Sequence, residues 1–166
     1  QKAPNGPRPE RLQDVPVAVT AANAQVLAEN GITNVANLNN LSPSISFRMT
    51  NIASSTSNIQ IRGIGTVGNA RTFEGAVGVF IDGVYRTRSG QALSNFLDVE
   101  SLQVLRGPQG TLFGKNTSAG AVLVNSTRPD LNKVGGNFEA SYGNYDTYLA
   151  RAAINLPVGE NAALRI

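Results

Sequence analysis

Two glycine-rich stretches carry the strongest apparent chemistry in this 166-residue chain. Gly63-Ile64-Gly65-Thr66-Val67-Gly68 has the spacing of a dinucleotide-binding turn, in which glycines let the backbone approach a pyrophosphate at a helix N-terminus. It follows a predicted strand, and Asp82, 19 residues beyond Gly63, stands where a ribose-binding acid belongs. The residues between argue against it. Asn69 to Ala76 is too short and too polar for a helical crossover, and Asp82-Gly83 sits between β-formers as a hairpin turn. Gly110 to Asn116 ends in Gly114-Lys115 like a phosphate loop. However, Gln109 stands where the first glycine is needed, and Asn116 where magnesium requires Ser or Thr.

Other chemistry has few residues to work with. The chain has no histidine, the commonest general base and metal ligand, and no cysteine. Its carboxylates are isolated along the sequence, so no nucleophile–base arrangement forms among neighbours. No catalytic residue, cofactor site or metal site is assigned, and the chain does not read as an enzyme.

Charged residues make up only 15% of the chain, against roughly 25% in ordinary soluble domains. Asn, Ser, Thr and Gly are abundant instead, and these form hydrogen bonds without the desolvation cost of an ion. Much of the surface is therefore expected to face something other than bulk water. The net charge is +3: the chain through Asp130 has 11 Lys/Arg against 8 Asp/Glu, and the rest has three of each. Lysine is confined to Lys2, Lys115 and Lys133 and the arginines are scattered, so no basic stripe for nucleic acid exists. No apolar run approaches the roughly 18 residues of a membrane-crossing helix, so any membrane role must use strands.

The elements that would position these residues follow from pattern. Gln1 to Asp14 is Pro-rich and polar, an unstructured lead-in. Val15 to Thr20 alternates like a strand, and Ala21 to Glu29 is helix sequence stopped at Asn30-Gly31. Thr33 is placed to cap a second short helix with Val35, Leu38 and Leu41 as its apolar stripe. Strands are then predicted around Ile45–Met49, Ile59–Ile61, Val77–Ile81, Val84-Tyr85, Leu102–Leu105 and Ala121–Val124. The connection holding Gly107, Gly110, Gly114 and Gly120 is expected to turn tightly. After Asp130, Phe138, Ala140 and Tyr142 share one face, and so do Tyr148, Ala150, Ala152, Ile154 and Leu156 across a turn at Gly143-Asn144. Pro157 to Asn161 turns again into a strand from Ala163. Apolar residues on one face, with tyrosine near the strand ends, fit a transmembrane β-strand and a soluble hairpin equally well.

Five segments resemble the TonB-dependent outer-membrane receptors, in that family's order. They are Arg11-Leu12-Gln13-Asp14-Val15-Pro16-Val17-Ala18-Val19-Thr20; Gly31-Ile32-Thr33 to Leu41-Ser42-Pro43; Ile61-Arg62-Gly63; Val79 to Tyr85; and Val99-Glu100 with Val104-Leu105-Arg106-Gly107-Pro108-Gln109-Gly110-Thr111-Leu112-Phe113-Gly114. Together they run from Arg11 to about Pro129, and the likeness is strongest to receptors for iron complexes. The resemblance implies an α+β plug domain, a mixed β-sheet with short helices, followed by the first antiparallel strands of a 22-stranded transmembrane β-barrel. The expected divisions are residues 1–14 as lead-in, 15–130 as plug and 131–166 as first barrel strands.

The resemblance also implies sites and partners. Arg62 and Arg106 match plug arginines that pair with barrel glutamates, and Glu100 matches the acid that accompanies them; an internal Arg–Glu pair within the plug is the competing reading. Gly63, Asp82, Gly83, Gly107, Gly110 and Gly114 are read as backbone turns. Arg71, Phe73, Arg86 and Arg88, on loops expected to face outward, are candidates to meet an anionic or aromatic iron chelate, against the plainer reading of solvated loop residues. The expected partners are the rest of the same barrel, outer-membrane lipid, a nutrient ligand, and the TonB energy-coupling protein. TonB would bind through a Ton box expected just before Gln1. About two and a half strands cannot close a barrel, and open edges cannot face lipid, so further strands are expected beyond Ile166. The expected role is the plug of an energy-coupled importer in the bacterial outer membrane. A stand-alone periplasmic or secreted binding module is the alternative.

Overall fold

The computed structural model describes residues 18–48, 58–65, 74–87 and 98–166. Strand β1 (Ala18–Asn23) runs straight into helix α1 (Ala24–Glu29). Asn23 makes the junction, since its side chain accepts from the Val26 amide at 2.9 Å. The expected helix thus starts three residues later than Ala21, because Ala21 and Ala22 pair with Gln103 and Leu102 of β6 (Val99–Arg106). Tertiary pairing outweighs the helix preference of alanine. The helix closes at Asn30-Gly31 as expected: Gly31 has φ +62° and the Ile32 amide reaches back to the Leu27 carbonyl at 2.8 Å. The second helix is a 3-10 helix, Val35–Asn40, and Asn34 rather than Thr33 caps it, accepting from the Asn37 amide. Thr33 instead donates its hydroxyl to Asn37 Oδ1 at 3.2 Å. Leu38 from the expected stripe is fully buried.

A five-stranded mixed sheet forms the centre. Its order is β1, β6, β7 (Gly120–Ser126), β4 (Val77–Ile81), β5 (Val84–Arg86), with β4 and β7 parallel and the other pairs antiparallel. Asp82 (φ +51°) and Gly83 (φ +79°) make the β4–β5 turn, the left-handed pair that a two-residue hairpin requires. One face carries Leu102, Val104, Val122 and Val79, all essentially inaccessible, each contributing roughly 1.5–3 kcal/mol of apolar burial. They pack with Leu27, Ile32 and Leu38, and with the hairpin of β2 (Ile45–Arg48) and β3 (Asn58–Ile61) through Ile45, Phe47, Ile59 and Ile61. On the other face Phe80, Leu105 and Ala121 pack with Val19, Tyr85, Phe113 and Leu123. A four-residue helix, α2 (Gly110–Phe113), supplies Phe113, whose ring lies 5.1 Å from that of Phe80. The glycine-rich spacing foretold only tight turns here.

A separate three-stranded antiparallel sheet follows: β8 (Gly135–Gly143), β9 (Thr147–Pro157) and β10 (Ala163–Arg165), in the order β10-β9-β8. Tyr142 faces Tyr148, Ala140 faces Ala150, Phe138 faces Ala152, and Leu156 faces Leu164. This whole face is exposed, Phe138 at 75% and Ile154 at 52%. The alternate residues of β9 turn toward the rest of the molecule, with Ala153 and Asn155 buried and Leu149 and Arg151 half-buried. No helix among the described residues is long and apolar enough to cross a membrane, which says nothing of strands.

Candidate functional site

Arg106 closes β6, opposite Ala18 and Gly120. Its guanidinium donates to Thr20 Oγ1 at 2.6 Å and to Ser44 Oγ at 3.5 Å, and its Nε is buried without a partner among the described residues. Arg62 follows β3 with φ +54°; its side chain is exposed and its amide donates to the Ser44 carbonyl at 2.7 Å. The fold therefore brings both arginines to Ser44. Neither has a carboxylate partner among the described residues, whose ion pairs are Glu74–Lys115, Glu139–Arg151 and Asp98–Arg165. The competing reading, an internal Arg–Glu pair, has no counterpart there. The Arg106 guanidinium is therefore met by hydroxyls rather than by a carboxylate among the described residues. Glu100 is not brought to the arginines. It is exposed at the bulge between Val99 and Ser101, six residues before Arg106, or roughly 20 Å along the strand at about 3.3 Å per residue.

Of the outward-loop candidates, Arg86 is exposed at the end of β5, opposite Val79. Arg71, Phe73 and Arg88 lie outside the described residues. Gly63, Gly107 and Gly114 adopt positive φ, whereas Gly110 simply opens α2. Asp82 does more than turn: its carboxylate accepts from the Ser126 amide and hydroxyl, both at 2.8 Å, locking the hairpin to the end of β7. That role leaves it unavailable as a ribose ligand. Among the described residues no cluster of His, Cys, Asp or Glu is placed to hold a metal.

The contact between the two sheets uses residues that the sequence did not single out. Asp98, just before β6, accepts a two-pronged contact from Arg165 of β10, through Nε to Oδ2 and through Nη2 to Oδ1. Hydrogen bonding from Arg165, with a smaller share from Thr127, holds the Asp98 carboxyl below the ordinary aspartate range despite partial desolvation. Thr127 also binds the Asp98 carbonyl through its amide at 2.9 Å and its hydroxyl at 3.0 Å. Asn155 fastens the connecting segment: its side chain accepts from the Asp130 amide and donates to the Asp130 and Lys133 carbonyls. Beside these contacts lies a cleft of about 580 Å³. Ala24, Leu27 and Ala28 of α1 line one side, and Glu139, Arg151 and Arg165 of the three-stranded sheet the other. Arg151 reaches Glu139 only at 3.9 Å and its Nε is buried without a partner among the described residues. The available signal in sequence was parity alone, which puts Arg151, Asn155 and Arg165 on the inward faces of their strands.

Residues 11–121 match the protein family described as TonB-dependent Receptor Plug Domain. Over 145 residues the chain is 30% identical to the pesticin receptors of Yersinia enterocolitica and Yersinia pestis, covering 86% of this chain and 20% of theirs. Among solved structures it is similar to the ferric yersiniabactin uptake receptor FyuA from Yersinia pestis, with a TM-score of 0.77 and 27% identity over 86% of this chain and 22% of that one. The ferric-catecholate import receptor Fiu from E. coli, in its closed form, gives a TM-score of 0.73 at 23% identity over 93% and 20% of the two chains, a likeness of fold alone. The chain spans about one fifth of the length of the curated relatives it matches. These relatives are receptors, not enzymes.

Proposed function

We propose, from the premise that this chain belongs to the TonB-dependent receptor plug domain family, that it occludes and gates the barrel of an outer-membrane importer for an iron–siderophore complex or a similarly scarce nutrient. Residues 15–130 are the plug in this reading, and residues 131–166 the first strands of the surrounding wall. The observation that carries it is the split character of β8–β10. One face is apolar and open, suited to lipid; the other is mixed, carrying Asn137, Glu139, Ser141, Arg151 and Asn155 beside Leu149 and Ala153, and in β9 it is the more buried side.

The chemistry of each part fits the role. A plug with few charges and many Asn, Ser, Thr and Gly meets its wall through hydrogen bonds and water rather than a sealed apolar seam, so it can shift without exposing a hydrophobic core. Arg62 and Arg106 are suited to barrel carboxylates, because a guanidinium stays protonated and offers a two-pronged contact. Arg86, with Arg71, Phe73 and Arg88, would meet an anionic or aromatic chelate on the outward side. Energy would arrive at the N-terminal segment from TonB, by strand addition of an upstream Ton box.

The test is uptake in the native bacterium under iron limitation, with the full-length gene intact or deleted. Each of a panel of radiolabelled ferric siderophores is supplied in turn. Loss of uptake of one or a few chelates on deletion is expected. Unchanged uptake of every chelate, with no other nutrient affected, would remove the importer reading and leave the stand-alone binding module.

A further inference from the structure

Three ion pairs occur among the described residues, and they are distributed unevenly. Glu74–Lys115 lies within the plug and Glu139–Arg151 within the three-stranded wall; of the three, Asp98–Arg165 alone crosses from plug to wall. It is also the best built. Both side chains are largely shielded, Arg165 at 16% and Asp98 at 23% exposure, and both prongs of the guanidinium are engaged. Arg165 further extends Nη2 toward Asn137 Oδ1 at 3.4 Å, so the contact spans β10, β8 and the plug.

Asp98 is held through both its side chain and its backbone carbonyl. Its φ of +56° is left-handed, a conformation that L-residues other than Asn, Asp and Gly seldom adopt. Two bonds from Thr127 to its carbonyl fix that conformation at the point where the chain leaves β7 for the wall. Asp98 and Arg165 both line the cleft between plug and wall, one from each side.

We infer that Asp98 and Arg165 form a latch that holds the plug against the barrel wall and limits solute leak around it. Both are positioning residues, since neither need touch the transported substrate. The inference rests on the importer reading above, and it places the latch within this chain, apart from the arginines that face later barrel strands.

The test uses the full-length receptor reconstituted in liposomes, with swelling in raffinose as the measure of leak and heat-modifiable migration as the control for an intact barrel. Asp98→Asn keeps a residue that tolerates left-handed backbone and removes only the charge, and Arg165→Gln removes the fork. Each is expected to swell at least about ten-fold faster than wild type, equivalent to losing about 1.4 kcal/mol of closure. The double variant should swell no faster than either single one, because both break the same contact. Wild-type swelling in both single variants, or additive increases in the double, would overturn the latch. If either variant fails to insert, Arg165→Met, which keeps an aliphatic stem and removes the charge, is read in its place: faster swelling supports the latch, and wild-type swelling overturns it. A wild-type receptor with no heat-modifiable band would instead count against the importer reading itself.

Discussion

Arg106 donates to the Thr20 hydroxyl at 2.6 Å, joining the last residue of β6 to the edge strand nearest the N-terminal segment. The same guanidinium reaches toward Ser44, so its contacts among the described residues are to hydroxyls and leave the charge without a carboxylate. Arg106→Lys retains the charge but not the planar fork. In the full-length receptor it is expected to lower ferric-chelate uptake by roughly ten-fold or more, the effect of losing about 1.4 kcal/mol, while barrel assembly is unchanged. Thr20→Val, which removes only the neutral partner, should cost roughly 1 kcal/mol of plug stability and little uptake. Uptake measured side by side for the two variants checks this, and equal effects would argue against a special role for the arginine.

Gly120 is the tightest backbone position in the sheet. At φ +152°, an added Cβ would lie 2.7 Å from Ile61 Cδ1 and closer still to the Leu105 carbonyl oxygen. The carbonyl belongs to a paired strand and cannot yield. Gly120→Ala is expected to destabilise the plug by roughly 2–3 kcal/mol, in the range of overpacked cores. Amide hydrogen exchange of β6 and β7 in the intact receptor would register it as lost protection.

Acid should release the plug from its wall only late. The folded pKa of Asp98 is depressed by Arg165, so its contribution is fully present above the unfolded value and is lost as pH falls through the folded one. Protection of amides around Asp98 should therefore stay level from about pH 8 to pH 5 and decline only below the ordinary aspartate value of about 3.9. A decline centred near pH 6 would mean that another group controls the contact.

The two faces of the wall should respond oppositely to charge. Ala152 is on the open apolar face, paired with Phe138, and Ser141 is on the other face, paired with Leu149. Ala152→Arg should cost about 2–4 kcal/mol if it sits near the bilayer midplane and deplete the assembled receptor, whereas Ser141→Arg should assemble almost normally. The yield of heat-modifiable receptor from each variant is the measurement.

Local signals in the sequence reached most of the strands and much less of the site. Asp82-Gly83 between β-formers marked its hairpin because turn chemistry is confined to two residues. The alternation of Tyr148, Ala150, Ala152, Ile154 and Leu156 marked a face because strand parity is strict. The α1 start was misplaced because Ala21 and Ala22 favour helix locally, and only pairing with β6 makes them strand. Asn34 could not be separated from Thr33 as a cap by type, since both side chains suit the position. Helix α2 escaped because four residues, the first of them a glycine and the next after them another, carry no periodicity. The Asp98–Arg165 contact escaped for a deeper reason: its partners are 67 residues apart, and nothing in either neighbourhood names the other. Glu100, grouped with Arg62 and Arg106 by resemblance, lies at the far end of β6 from them, a separation that linear order does not reveal.

The proposed function makes these residues the plug and first wall strands of a closed barrel in the outer membrane. Its most direct test is the size of the native polypeptide in isolated outer membranes, run on a gel with and without boiling. A band several times larger than 17.4 kDa that shifts on heating is the predicted result. A 17.4 kDa species in the soluble fraction, with no heat-modifiable band, would contradict it.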